Sequence, residues 1–327
     1  MSRPRVAVTS VVPGHALEWL ETACETTVHR GPALDREDAV AAFVGDAEGV
    51  LCLLANPITD GVLAACPRLR VVANCAVGYD NVDLEACRRR GVWVTNTPDV
   101  LTEATADLAW ALLMAAARRL GEGDRLVRSG GWTGWAPRQL VGQPVAGRTL
   151  GIVGMGAIGR AVARRARGFA MPVLYHNRNR VPVEVEQELG ARWVELPELL
   201  AQADVVSLHV PLTEQSRHLL DAAALARMKP SAVLVNTGRG PLVDEAALVE
   251  ALREGRLAAA GLDVYEREPA LAEGLAELDQ VVLAPHLGSA TTEARAAMVE
   301  LCADNIAAVL AGRPAVTPAP GPALAPR

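Results

Sequence analysis

Aromatic side chains are scarce, with 3 Tyr, 2 Phe and 6 Trp among 327 residues. A core without them must be packed mainly from Ala, Val and Leu. Half the residues are hydrophobic, which allows a core of good size. Lysine is scarcer still: Lys229 is the only one, so any Schiff-base chemistry has a single candidate. Basic charge is not in excess. The net charge of −6 argues against nucleic-acid binding, which calls for a clustered basic patch. Cysteines at 24, 52, 66, 75, 87 and 302 form no Cys-x-x-Cys and have no histidine at ligand spacing. No metal site is expected, and the thiols read as small buried apolar groups kept reduced. Apolar runs are short; Leu108 to Ala117 is the longest candidate and cannot span a bilayer. The first residues lack the apolar segment of a signal peptide. Together these absences predict a cytoplasmic protein with neither membrane nor nucleic-acid partner.

What is present is a glycine-rich turn, Gly154-Met155-Gly156-Ala157-Ile158-Gly159, after an apolar strand from Leu150 and before a helical stretch from Ala161. Gly-x-Gly-x-x-Gly in that setting is a dinucleotide fingerprint. The first glycine permits the turn, the second lets backbone approach a diphosphate, and the third lets helix pack close to strand. The helix start offers N–H groups and a positive dipole end.

The fingerprint lies mid-chain. Before it, short apolar runs (5–9, 49–54, 71–75 and 92–96) alternate with helical patterns (16–23, 36–43, 59–65 and 84–90). After it come strand candidates at 173–176, 205–209, 232–236, 261–264 and 281–284. Alternation of this kind predicts an α/β chain with parallel sheets. Thr102 to Leu120 reads as one unbroken helix, and 121–145 as an irregular arm. A closing helix, Thr291 to Ala311, is expected to return to the first domain. The Pro/Ala-rich residues 317–327 are expected to lack fixed structure.

Three segments near strand ends hold groups suited to ketone reduction: Asn236-Thr237-Gly238-Arg239-Gly240, Glu266-Arg267-Glu268-Pro269 and Pro285-His286-Leu287-Gly288. A guanidinium at 239 can hold a carboxylate through two parallel hydrogen bonds. Each residue alone also fits a plain role: a surface arginine, a solvated carboxylate, a structural histidine. Their shared placement after successive strands favours chemistry.

These segments, with Asn74-Cys75-Ala76-Val77-Gly78-Tyr79-Asp80-Asn81, Asn96-Thr97-Pro98 and Leu262-Asp263-Val264-Tyr265, resemble the D-2-hydroxyacid dehydrogenase family, in its glyoxylate/hydroxypyruvate reductase branch. The resemblance implies two doubly wound, Rossmann-like domains with a cleft between them. A discontinuous substrate-binding domain would comprise 1–98 plus 288–327, and a dinucleotide domain 99–287, with hinges near 98–101 and 286–290. It implies that Arg239 binds the 2-oxo acid carboxylate, His286 is the general acid, and Glu268 holds His286 protonated. Leu54, Val77 and Gly78 would line the substrate site. Thr105 and Asp263 would lie beside the nicotinamide, and Val210 and Pro211 beside the adenine. Thr237, Gly238, Arg239 and His286 would complete the cofactor contacts. Val77 stands where phosphite-oxidising relatives carry lysine, so phosphite is not the expected substrate. A homodimer through the 121–145 arm is implied. Trp135 of a Trp-x-x-Trp pair is either packed in that arm or inserted into a neighbour's site.

No acid follows the second strand of the fingerprint; the residues there are Asn177-Arg178-Asn179-Arg180. Two arginines suit the 2′-phosphate of NADP(H), while Asn177 accepting from a ribose hydroxyl would permit NAD(H). The reaction expected is reduction of glyoxylate or hydroxypyruvate. Another 2-oxo acid remains open, as does a dinucleotide-sensing protein like the corepressors of this fold.

Overall fold

The computed structural model describes residues 3–320. It divides into two compact units, one running to Leu101 and resuming at Ala290, the other Thr102–Ser289. The first unit holds β1 (Arg5–Val8), α1 (Ala16–Ala23), β2 (Glu25–Val28), α2 (Glu37–Val44) and β3 (Gly49–Cys52). It continues through α3 (Asp60–Ala65), β4 (Val71–Asn74), α4 (Leu84–Arg90) and β5 (Trp93–Thr95). The five strands form a parallel sheet in the order β2-β1-β3-β4-β5. β3 and β4 are buried along their whole length, as strands covered on both faces must be. β2 has no apolar run to announce it. It is an edge strand of Glu-Thr-Thr-Val whose exposure alternates, so no continuous buried stretch marks it.

The second unit starts with α5 (Thr102–Ala117) and α6 (Leu120–Arg128), then β6 (Leu150–Val153), α7 (Ala157–Ala166), β7 (Val173–His176), α8 (Val183–Leu189) and β8 (Ala191–Trp193). It goes on through α9 (Leu196–Gln202), β9 (Val205–Leu208), α10 (Ala222–Leu225), β10 (Val233–Asn236), α11 (Glu245–Arg253), β11 (Ala259–Leu262) and β12 (Val281–Leu283). Its parallel sheet has the order β12-β11-β10-β9-β6-β7-β8. β8, a three-residue edge strand, is also silent in the sequence pattern.

The predicted single helix 102–120 is two helices. Arg119 adopts a left-handed φ of 54°. The carbonyl of Ala117, at the end of α5, accepts from Gln143 N at 2.7 Å instead of from a further helical turn. Gly142 permits this approach, since a Cβ there would fall 2.2 Å from the same oxygen. The arm therefore opens as helix α6, not as irregular chain from 121, and none of α6 is buried.

Small residues and aliphatics fill the cores, as the shortage of aromatics requires. Gly261 of β11 lies against α5, where a Cβ would come 2.9 Å from that of Leu112. Trp110 stacks on Phe169 at 4.6 Å between ring centroids and donates to Val162 O. Among the described residues, no helix is long and apolar enough to cross a membrane.

The last helix, α12 (Thr292–Leu310), packs on α1, β3 and β4 of the first unit. The segment after it departs from the expectation that 317–327 lack structure. Thr317 Oγ1 donates to Asn96 O at 2.7 Å, Ala319 N donates to Val94 O at 2.8 Å, and Thr95 forms an antiparallel bridge with Pro318. The free edge of β5 supplies those partners. Residues 321–327 lie outside the described residues. Buried Asn305 of α12 fastens the segment. Its Oδ1 accepts from Val316 N and Thr317 N, both at 2.9 Å, and its Nδ2 donates to Thr317 Oγ1 at 2.9 Å and Leu301 O at 2.7 Å. Asn305→Ala should destabilise the protein by about 2–4 kcal/mol, because it removes the acceptor of two part-buried N–H groups. A urea midpoint equal to wild type would refute this anchoring.

Candidate active site

The second sheet reverses its winding at β6, with β7 and β8 on one side and β9 to β12 on the other. Ligands of open α/β sheets bind beyond the carboxyl ends of strands at such a point. The fingerprint turn stands there. Gly154 has φ 104°, and a Cβ on it would lie 2.6 Å from the His209 carbonyl. A Cβ on Gly159 would lie 2.1 Å from Gly154 O. Packing within the protein demands both glycines. Gly156 differs: a Cβ there would meet nothing within 4 Å. Bare backbone therefore faces open space where α7 begins, with Ala157 and Ile158 as its first residues. The residues present thus fit a dinucleotide diphosphate.

Asn177, just past β7, accepts from Met155 N through Oδ1 at 2.7 Å, so its carbonyl braces the glycine turn. Arg180 is held by Glu186, Nε to Oε1 at 2.7 Å and Nη2 to Oε2 at 2.6 Å. That ion pair, with the Tyr175 hydroxyl, brings the Glu186 pKa down to about 2. The two expected phosphate-binding arginines are thus unequal. Arg180 already has a carboxylate, while Arg178 is exposed and makes no ion pair among the described residues; Asn179 is exposed beside it. Across the turn, Val210 is half-buried and Pro211 exposed. Burial of the His209 ring pushes its pKa down to about 4, so it is neutral near pH 7.

At the end of β10, Asn236 shapes the turn that carries Arg239. Its Oδ1 accepts from Gly238 N at 3.0 Å and its Nδ2 donates to Arg239 O at 2.9 Å. Thr237 Oγ1 within this turn is buried without a hydrogen-bond partner among the described residues. Gly240 presses on the next loop, since a Cβ would fall 1.9 Å from the Tyr265 carbonyl. That loop bears Glu268, which accepts from Tyr265 N at 3.1 Å through Oε1 and faces His286 Nδ1 at 2.9 Å through Oε2. Burial works to raise the Glu268 pKa. The His286 hydrogen bond and charge, the Tyr265 N–H and the Arg239 charge outweigh it and hold the carboxyl below its ordinary range. Glu268 is therefore ionised at neutral pH, and the His286 Nε2 is left for another partner.

His286 itself sits at a left-handed φ of 55°. Asp263, at the end of β11, maintains that conformation. Its backbone carbonyl accepts from His286 N at 2.9 Å, Oδ1 from Leu287 N at 2.6 Å, and Oδ2 from Gly288 N at 2.8 Å. Burial raises the Asp263 pKa, opposed by those two N–H groups and the His286 charge. Thr105 Oγ1 donates to Gly288 O at 3.0 Å. Thr105 and Asp263, the residues expected beside the nicotinamide, thus both hydrogen-bond to the histidine loop. Sequence reasoning missed Glu245, whose buried carboxylate accepts from Glu266 N at 2.6 Å and Ala272 N at 3.3 Å and so frames the Glu268 loop. An acid in the first turn of a helix looks like an ordinary dipole partner, so the sequence offers no signal for that role.

Arg239, Glu268 and His286 are brought together in the second unit. Leu54, Val77 and Gly78 belong to the first, at the ends of β3 and β4. Leu54 is half-buried. The N–H groups of Val77 and Gly78 have no acceptor among the described residues. No cluster that could hold a metal ion is found among those residues.

Residues 110–288 match the family model described as D-isomer specific 2-hydroxyacid dehydrogenase, NAD binding domain. The chain is 50% identical over 310 residues to a glyoxylate reductase of Thermococcus onnurineus, covering 94% of this chain and 92% of that one. A crystal structure of the TT0316 protein from Thermus thermophilus superposes with a TM-score of 0.90 at 47% identity, covering 97% and 100% of the two chains. An NADPH-dependent glyoxylate/hydroxypyruvate reductase from Sinorhizobium meliloti, in complex with NADP and malonate, gives 0.89 at 37% identity, covering 100% and 99%. Sequence, fold and site therefore agree that the chain belongs to the D-isomer specific 2-hydroxyacid dehydrogenases, oxidoreductases that use a nicotinamide dinucleotide.

Proposed function

We propose that this enzyme reduces glyoxylate, and hydroxypyruvate with it, to glycolate and D-glycerate, with NADPH as the favoured cofactor. The observation that carries the reading is the His286–Glu268 pair at 2.9 Å, in the same unit as the fingerprint turn. The relatives named as glyoxylate reductases support the choice of substrate. When bound, the dinucleotide supplies a hydride to the carbonyl carbon. Arg239 holds the substrate carboxylate. In the first unit, the N–H groups of Val77 and Gly78 are the donors we assign to that carboxylate. His286 gives its Nε2 proton to the carbonyl oxygen, and Glu268, at 2.9 Å from Nδ1, holds the ring in place for that transfer. Leu54 lines the apolar side of the substrate.

Cofactor preference rests on Arg178. With Asn177 bracing Met155 and Arg180 paired to Glu186, Arg178 is the guanidinium available to a 2′-phosphate. We also read the chain as a homodimer formed through its arm. The exposed apolar side chains Leu120, Val127, Trp132, Trp135 and Val141 support that reading.

His286→Ala should lower kcat for glyoxylate by about 10²–10⁴-fold while NADPH still binds. Turnover equal to wild type would remove His286 from proton transfer. Arg239→Lys should raise KM for glyoxylate about tenfold or more, because an ammonium cannot make the two-pronged contact; an unchanged KM would refute the clamp. For cofactor choice, Arg178→Ala should narrow the NADPH-over-NADH ratio of kcat/KM by about tenfold. A constant ratio would place the phosphate elsewhere.

A further inference from the structure

The turn after β4 presents two N–H groups in a fixed direction, and neighbouring segments set that direction. In a trans peptide the C=O and N–H point opposite ways, so pinning one carbonyl aims the following N–H. Ala76 O accepts from Thr97 N at 2.8 Å, which aims the N–H of Val77. Val77 O accepts from Asn96 Nδ2 at 2.9 Å, which aims the N–H of Gly78. Gly78 O accepts from Asn74 Nδ2 at 2.8 Å, which closes the turn. Three successive peptides are thus locked by donors on the side away from the two N–H groups.

Asn96 is itself held by the chain's C-terminal segment. Its backbone carbonyl accepts from Thr317 Oγ1 at 2.7 Å, and its N–H donates to Thr317 O at 3.2 Å. Thr317 in turn is fixed by Asn305 of α12. An unbroken hydrogen-bonded series therefore runs from a buried helix residue, through a segment at the far end of the sequence, to the Val77–Gly78 peptide.

We propose that Asn96, fastened by Thr317 and Asn305, is a positioning residue that aims the Gly78 N–H at the substrate carboxylate. This rests on the reading that Val77 and Gly78 bind that carboxylate. The C-terminal segment is then part of the substrate-binding apparatus, although it touches no substrate. Because Asn96 neither moves a proton nor meets the cofactor, its loss acts on anion affinity and leaves the chemical step alone.

The test compares wild type with Asn96→Leu, which keeps the bulk and removes the donor. Calorimetry measures oxalate binding to the NADPH complex, and kinetics give kcat and KM for glyoxylate. Asn96→Leu should weaken oxalate binding and raise KM by about tenfold, with kcat and NADPH affinity within about twofold of wild type. Oxalate affinity and KM unchanged in a folded variant would overturn the inference. Should Asn96→Leu not fold, Thr317→Val, which removes only the hydroxyl, should move the same two quantities in the same direction; no movement would likewise overturn it. Oxalate that fails to bind wild type would remove the anion site itself. Wild type that binds oxalate but does not reduce glyoxylate would refute the proposed reaction and leave the positioning role standing.

Discussion

The Asp263 carboxylate, buried at the end of β11, accepts the N–H groups of Leu287 and Gly288, and the Asp263 carbonyl accepts that of His286. The left-handed backbone at His286 is costly for a residue with a Cβ and persists only where its surroundings over-determine it. Here three hydrogen bonds from one residue, plus that of Thr105 to Gly288 O, do so. The direction of the imidazole, its approach to Glu268 and the freedom of Nε2 all follow. A buried acid that would otherwise be destabilising is made tolerable by the same N–H groups it organises.

The rest of the second unit serves that arrangement through close backbone approach. Gly240 lets the Arg239 turn lie on the Tyr265 carbonyl, Gly154 lets the fingerprint turn lie on His209, and Gly159 lets α7 lie on Gly154. In each case a methyl group would collide with backbone, which cannot swing aside as a side chain can. Of the three fingerprint glycines, Gly156 is the one with no protein neighbour, so packing does not account for it.

In the first unit amides replace carboxylates. Asn74, Asn81, Asn96 and Asn305 are tied to backbone groups of the turns after β3 and β4 and of the C-terminal segment. An amide both donates and accepts without charge, so it can cross-link buried backbone without the desolvation penalty of an ion.

The sequence by itself determined the parallel α/β architecture and the strand–turn–helix setting of the glycine-rich turn, because each leaves a local mark. Buried strands are apolar runs and tight turns need glycine. It also put Arg239, Glu268 and His286 forward as candidates, since they follow the ends of β10, β11 and β12. The edge strands β2 and β8 left no such mark, each having one neighbour and no run of buried apolar residues. Nor did the break at Arg119, which depends on Gly142 and Gln143 meeting the end of α5 from more than twenty positions away. Arg178 and Arg180 look equivalent in sequence, and only folding gives Arg180 to Glu186. The Pro/Ala-rich segment likewise carries no local preference for order; Thr317 is ordered by Asn305 and Asn96, far from it in the chain. Those matters were decided by tertiary structure, since a hydrogen-bond partner distant in sequence exists for a side chain only once the chain has folded around both.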